Sequence, residues 1–223
     1  MTNLVFQCEV GVITKHFAVG TSVPWVKGKV GAVATQAETN PLLGSRILDL
    51  LEEGWTADDA MVAAIAQDNG REMRQCHVVD RLGNCAAWTG RDTVAHAGTL
   101  SQDGVSVAGN MLQNENVLSA MIDAYFQNLD VSIARRIYKA LEAGELAGGD
   151  KRGPGQSAAI LVACNQPFPV WNLRVDHNTT ADILQQLQVL LDEAEKPYVR
   201  DFYDNLPSAF SDIDCTSGSA HHP

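Results

Sequence analysis

Hydrophobic and polar positions alternate along this chain in short blocks, each the length of one strand or one modest helix. Residues 3–14 read as strand material, first Leu4-Val5-Phe6 and then residues 10–14. A second strand is expected at 30–35, after turn material around Pro24 and Gly28. Pro41 then opens a helix over about 42–53, with Leu42, Leu43, Ile47, Leu50 and Leu51 on one face. Gly54 stops it. Thr56, with Asp59 three residues on, resembles a capping box with Asp in place of Glu and starts a helix to about Gln67.

Three or four β segments are expected next, at 73–80, 84–89, 93–97 and 104–109, with Asp80-Arg81-Leu82-Gly83-Asn84 as the hairpin signal between the first two. Two helices follow at about 114–127 and 130–143, the second ending before Gly144. Strands at 157–164 and 169–175 and a helix near 179–194 complete the pattern. No internal repeat is visible. The order is blockwise rather than strictly alternating, which predicts an α+β fold with largely antiparallel sheet. The 157–164 segment is apolar nearly throughout, so both its faces need cover. Two stacked sheets with helices outside would supply it.

With 223 residues and 45% hydrophobic content, the chain can build one large core. We expect a single domain over 1–200 and a polar tail over 201–223. The longest apolar stretches are strand-sized, so no membrane span is expected. The start lacks the basic residues and apolar run of a secretory signal. A net charge of -11 argues against nucleic acid as a partner, since phosphate binding needs a basic patch. Cysteines stand at 8, 76, 85, 164 and 215 without a CxxC pattern, which fits a reducing cytoplasm rather than a disulfide scaffold.

The stretch richest in candidate chemistry is Gly148-Gly149-Asp150-Lys151-Arg152-Gly153-Pro154-Gly155-Gln156-Ser157, a small-residue loop running into a buried strand. Glycines let backbone turn tightly and approach a ligand. Polar side chains on such a loop are placed for binding or catalysis. Residue types alone give a site here but no reaction.

Further segments carry a resemblance. Phe17-Ala18-Val19-Gly20, Val23-Pro24-Trp25, Gly31-Ala32-Val33-Ala34-Thr35-Gln36-Ala37, Gly70-Arg71-Glu72-Met73-Arg74-Gln75, Val78-Val79-Asp80 and Trp88-Thr89-Gly90 occur in order. Val107-Ala108-Gly109-Asn110-Met111-Leu112, the Gly-rich loop and Leu173-Arg174-Val175-Asp176 follow them. Each is weak alone, but the ordered set, over roughly residues 10–195, resembles a bacterial and archaeal family, domain of unknown function 1028. That resemblance implies the N-terminal nucleophile (Ntn) hydrolase superfamily, a four-layer αββα sandwich and chemistry on amide bonds. The nucleophile there is a Thr, Ser or Cys at the mature N-terminus, activated by its own α-amine. By resemblance Thr2, exposed by loss of Met1, is the candidate nucleophile. The chain departs from the family pattern at its start, where too few residues precede Thr14 for both strands of the first hairpin. Either the hairpin is shortened and Thr2 keeps its role, or the first strand is missing.

Each candidate has a bland reading beside the functional one. Asp150 and Arg152 either form a solvated turn or line the site, where Arg152 suits a substrate carboxylate through its planar fork. Gln156 and Ser157 either contact substrate or cap the strand start. Asn110 is either a turn residue or an oxyanion donor. Thr35 and Gln36 either line a ligand or make structural hydrogen bonds. His77 reads as a satisfied core histidine and His177 as a surface turn. The histidines share no ligand spacing, so neither metal nor cofactor is expected. Apolar residues around Pro24 and Trp25 in segment 19–31 have little polar cover and point to a homo-oligomer. Two functions are carried forward: an amidohydrolase acting on a small carboxylated amide or peptide-like substrate, and a non-catalytic binder of small ligands or cell-wall peptides on the same fold.

Overall fold

The computed structural model describes residues 7–164, 168–178, 182–199 and 201–203. Thr2 and the end of the tail lie outside them. The chain enters through β1 (Cys8–Thr14), a short helical turn, β2 (Pro24–Lys27) and β3 (Gly31–Ala37). Helices α1 (Pro41–Glu52) and α2 (Ala57–Ala66) follow, then β4 (Arg74–Asp80), β5 (Cys85–Thr89), β6 (Gly98–Gln102) and β7 (Val105–Gly109). A second helix pair, α3 (Asn116–Gln127) and α4 (Ile133–Leu146), leads into β8 (Ser157–Ala163), β9 (Pro169–Val175) and α5 (Ile183–Ala194).

Local chemistry accounts for most of these boundaries. Asn40 caps α1 by accepting from the Leu42 N–H, with Pro41 at the first helical position. Thr56 Oγ1 accepts from the Asp59 N–H at 3.1 Å and donates to the Asp59 carboxylate at 2.8 Å, so the Asp version of the capping box forms. Three expectations need correction. Segment 93–97 is a loop, anchored to Met111 and Leu112 by backbone hydrogen bonds, and the strand lies at 98–102 instead. Gly144 does not end α4 but sits inside it, where a Cβ would fall 2.9 Å from Met121 of α3. The segment around Pro24 is an edge strand, not turn material. Trp25 is half-buried, packs on Gly44 and donates to the Ser22 carbonyl at 3.1 Å.

All strand pairs are antiparallel, in sheets ordered β2-β3-β4-β5, β1-β8-β9 and β6-β7. Packing sorts them into four layers. Val33, Cys76 and Val78 point from the four-stranded sheet toward Ile47, Leu50 and Met61 on α1 and α2. The opposite face, with Ala32 and Ala34, meets Val10, Val12, Ala159 and Leu161 of the facing sheet. That facing sheet turns Ile160 and Val162 toward Tyr138, Leu187 and Leu191 on α4 and α5. Strand β8 is buried at every residue because it feeds both of these cores, as its continuous apolar run required. The result is an αββα sandwich whose second sheet layer is made of two separate pieces.

Candidate functional site

A cavity of about 680 Å³ runs through the layer between the sheets. One end opens where the C-terminal ends of β1, β3 and β7 converge on loop 148–156. The loop is tied there by the Gln156 N–H donating to the Thr14 carbonyl at 2.7 Å and the Lys151 N–H donating to the Met111 carbonyl at 2.8 Å. Gly149 takes a left-handed φ of 52 in this turn, and a Cβ there would sit 2.5 Å from the Glu145 carboxylate. Ala37, which ends β3, and Met111, just past β7, are also left-handed, with φ of 66 and 54. Non-glycine residues in that region are held by their surroundings, and such positions gather at functional sites.

Gln75 organises the mouth from below. Its side chain is fully buried, and its Nε2 lies 3.0 Å from Thr89 Oγ1 and from the Gly98 and Gly109 carbonyls. Its Oε1 accepts from Gln36 Nε2 at 2.7 Å and from Asn110 Nδ2 at 3.2 Å. Two half-exposed, cavity-lining amides are thus each held by one buried amide. Gln75 was not singled out from sequence. The signal was its parity: in Arg74–Asp80, Cys76 and Val78 are the apolar set, which turns Gln75 and His77 to the other face.

Gln36, Asn110, Asp150 and Arg152 all line the cavity. Arg152 is already engaged, its Nε and Nη2 reaching Asp150 at 2.9 and 2.5 Å. Burial alone would raise the Asp150 pKa, but the Arg152 guanidinium and N–H hold the carboxyl below its ordinary value. Glu145 shifts the other way, raised by burial despite the Gly155 N–H on its Oε2. Deeper in, His77 Nδ1 lies 2.9 Å from Ser106 Oγ, which Ser101 approaches at 3.1 Å. Burial pushes the His77 pKa down to about 4, so the ring is neutral at ordinary pH.

The other sequence candidates sit elsewhere. Thr35 is buried and donates to the Ser22 carbonyl at 2.9 Å. Ser157 is buried, donates to the His16 carbonyl at 2.6 Å and accepts from the Val19 N–H. Both hold the chain rather than the cavity wall. Gln156 turns to the surface, where its amide meets His177 at 3.0 Å. Among the described residues no three metal-ligating side chains converge, and no helix is long and apolar enough to cross a membrane.

A family model described as "Family of unknown function (DUF1028)" matches residues 5–187. The chain belongs to this family. Protein SPO2555 from Silicibacter pomeroyi, a DUF1028 crystal structure, is similar at 30% identity and a TM-score of 0.84, over 98% of this chain and 93% of that one. Anbu, an ancestral β-subunit from Yersinia bercovieri, is similar at 10% identity and a TM-score of 0.36, over 95% of each chain. Scores that low do not by themselves define a common fold. No curated protein matches. The DUF1028 chain therefore shares its whole sandwich with a solved relative.

Proposed function

We propose that the cavity mouth binds a small carboxamide or peptide-like ligand, and that binding rather than unaided bond cleavage is its task. The observation that carries this reading is the Gln36–Gln75–Asn110 cluster. Amides fixed by a buried partner can donate to a ligand carbonyl and accept from a ligand N–H without reorganising. The Asp150–Arg152 pair beside them offers a charged edge for a ligand carboxylate.

Amide hydrolysis is the second reading, favoured by Asn110, whose spare N–H is the type of donor that stabilises an oxyanion. Its nucleophile would be Thr2. Thr2 lies outside the described residues. Ser106 is no substitute, because an imidazole that titrates near 4 is a weak general base at neutral pH.

The test uses N-acetyl dipeptides as probes, with binding read by thermal shift and cleavage by mass spectrometry. Stabilisation of the wild type, lost in Asn110→Ala and unaccompanied by cleavage over days, is the expected result. Turnover that disappears in Thr2→Ala would replace it with the hydrolase reading.

A further inference from the structure

Apolar, polar and charged side chains stand in order across the cavity mouth. The segment from Met111 to Gln113 runs between two others. Leu112 exchanges hydrogen bonds with His96 on one side, at 3.0 and 3.4 Å. On the other side the Met111 carbonyl accepts from the Lys151 N–H, and the Gln113 N–H donates to the Gly149 carbonyl. Neighbouring extended segments stand about 4.7–4.9 Å apart, so the loop carrying Val94 and the loop carrying Arg152 flank the middle segment across about 10 Å. Asn110 immediately precedes that middle segment, and Gln75 joins it to Gln36.

The two flanks differ in chemistry. Val94 and Met73 are large and apolar, yet they are 43% and 44% exposed, and both line the cavity. They share a flank because the Asp92 N–H donates to the Glu72 carbonyl at 2.8 Å, which seats the loop before Val94 next to Met73. Glu38, whose N–H donates to the Met73 carbonyl, and Asp92 border the cavity on this flank and repel an anion there. The opposite flank holds Arg152. Asp150 takes its Nε and Nη2 at 2.9 and 2.5 Å, which fixes the guanidinium and leaves Nη1 without a partner among the described residues. A guanidinium held along one edge presents the other to a second carboxylate.

We infer that the mouth takes an N-acyl amino acid in one direction, with its acyl chain on Val94 and Met73, its amide at Asn110 and Gln36, and its carboxylate on Arg152. This rests on the reading of the mouth as an amide-binding site and adds what stands on either side of the amide. A span of about 10 Å is the length of about three extended residues. An acyl chain of about six carbons, the amide and one α-carbon provide the same run of chain atoms. Covering Val94 and Met73 removes apolar surface from water, so affinity rises with acyl length until both are covered. Glu38 and Asp92 oppose the reversed pose, which would bring the carboxylate to them.

The probes are hexanoylglycine, acetylglycine and hexanoylglycinamide, each titrated calorimetrically into the full chain and into single variants. Hexanoylglycine should bind about tenfold more tightly than either of the others. Val94→Ser and Met73→Ser should each cut its advantage over acetylglycine about threefold while leaving acetylglycine itself unchanged. Arg152→Gln should weaken hexanoylglycine about tenfold and hexanoylglycinamide not at all, a split that general damage to the fold would not produce. Equal affinity for the three compounds, with binding still lost in Asn110→Ala, overturns this inference and leaves the amide reading standing. Hexanoylglycine binding that Asn110→Ala does not weaken overturns both, as does absence of saturable binding at millimolar ligand.

Discussion

The layer between the sheets has two halves of opposite character. Under β1 and β8 it is filled by Val10, Val12, Val23, Ala159 and Leu161 against Ala32 and Ala34. Under β7 it holds Gln75, bonded to the Gly109 carbonyl, and the His77–Ser106 pair, which borders the cavity. The floor is one continuous sheet, and the change falls between its neighbouring strands β3 and β4. Inward residues of β3 are mostly small and apolar, whereas those of β4 add the amide of Gln75 and the imidazole of His77 to Val79. Apolar contact closes the first half without specifying an opening. In the second, each polar group must find a partner, and that requirement holds the cavity wall in place.

The largest effect that would break this comparison is electrostatic. Burial raises Glu9 to about 8, with Glu195 adding to it and Arg136 opposing. A carboxyl raised from 4.5 in the unfolded chain leaves stability intact below pH 4.5 and removes it as pH climbs through 8. Because Glu9 as a residue is only half-buried, a few kcal/mol is the expected scale. His77 works in reverse. Its folded pKa of about 4 lies below the ordinary 6.5, so its contribution is present above pH 6.5 and fades as pH falls through 4, up to about 3 kcal/mol. Urea denaturation across pH should therefore show Glu9→Gln gaining stability only on the alkaline side. His77→Gln should flatten only the acid side. Parallel curves for wild type and both variants would remove the electrostatic account.

Gln75→Leu is the next largest. It strands the Gly98 and Gly109 carbonyls inside the protein and releases Gln36 and Asn110. Loss of about 3 kcal/mol is expected from such unsatisfied groups. Gln36→Leu, which leaves the buried amide its other partners, should lose less than half as much. Equal losses would mean that Gln75 does not organise the mouth.

Much of this architecture was legible in the sequence because local rules and burial agree. Pro41 at a helix start, Thr56 before Asp59, and the unbroken apolar run of β8 each predicted what formed. Misreadings came where tertiary contacts overrode local chemistry. Gly144 looks like a stop signal, yet close approach of α3 to α4 uses it mid-helix. Pro24 looks like turn material, but an edge strand tolerates proline at its start. Of the site, Gln36, Asn110, Asp150 and Arg152 reach the cavity, while Thr35, Gln156 and Ser157 satisfy backbone or surface groups instead. Sequence shows that a polar residue stands at a strand end but not which face it takes there. Glu9 was missed for a related reason: one acid in an apolar strand gives no sign of whether its partner lies elsewhere in the fold.

The smallest effect is also the cleanest comparison, because it places the same added side chain in each half. Ala159 is fully buried, and its Cβ lies so close to Gly20 that a Cβ on that glycine would fall 2.9 Å away. Ala159→Leu should overpack that half and lose about 1–3 kcal/mol. Ala108 is half-buried on β7 and lines the cavity, so Ala108→Leu should enter open space and change stability by less than about 1 kcal/mol in either direction. Chemical denaturation of both variants at one pH decides the matter. Similar penalties would mean that the two halves are packed alike.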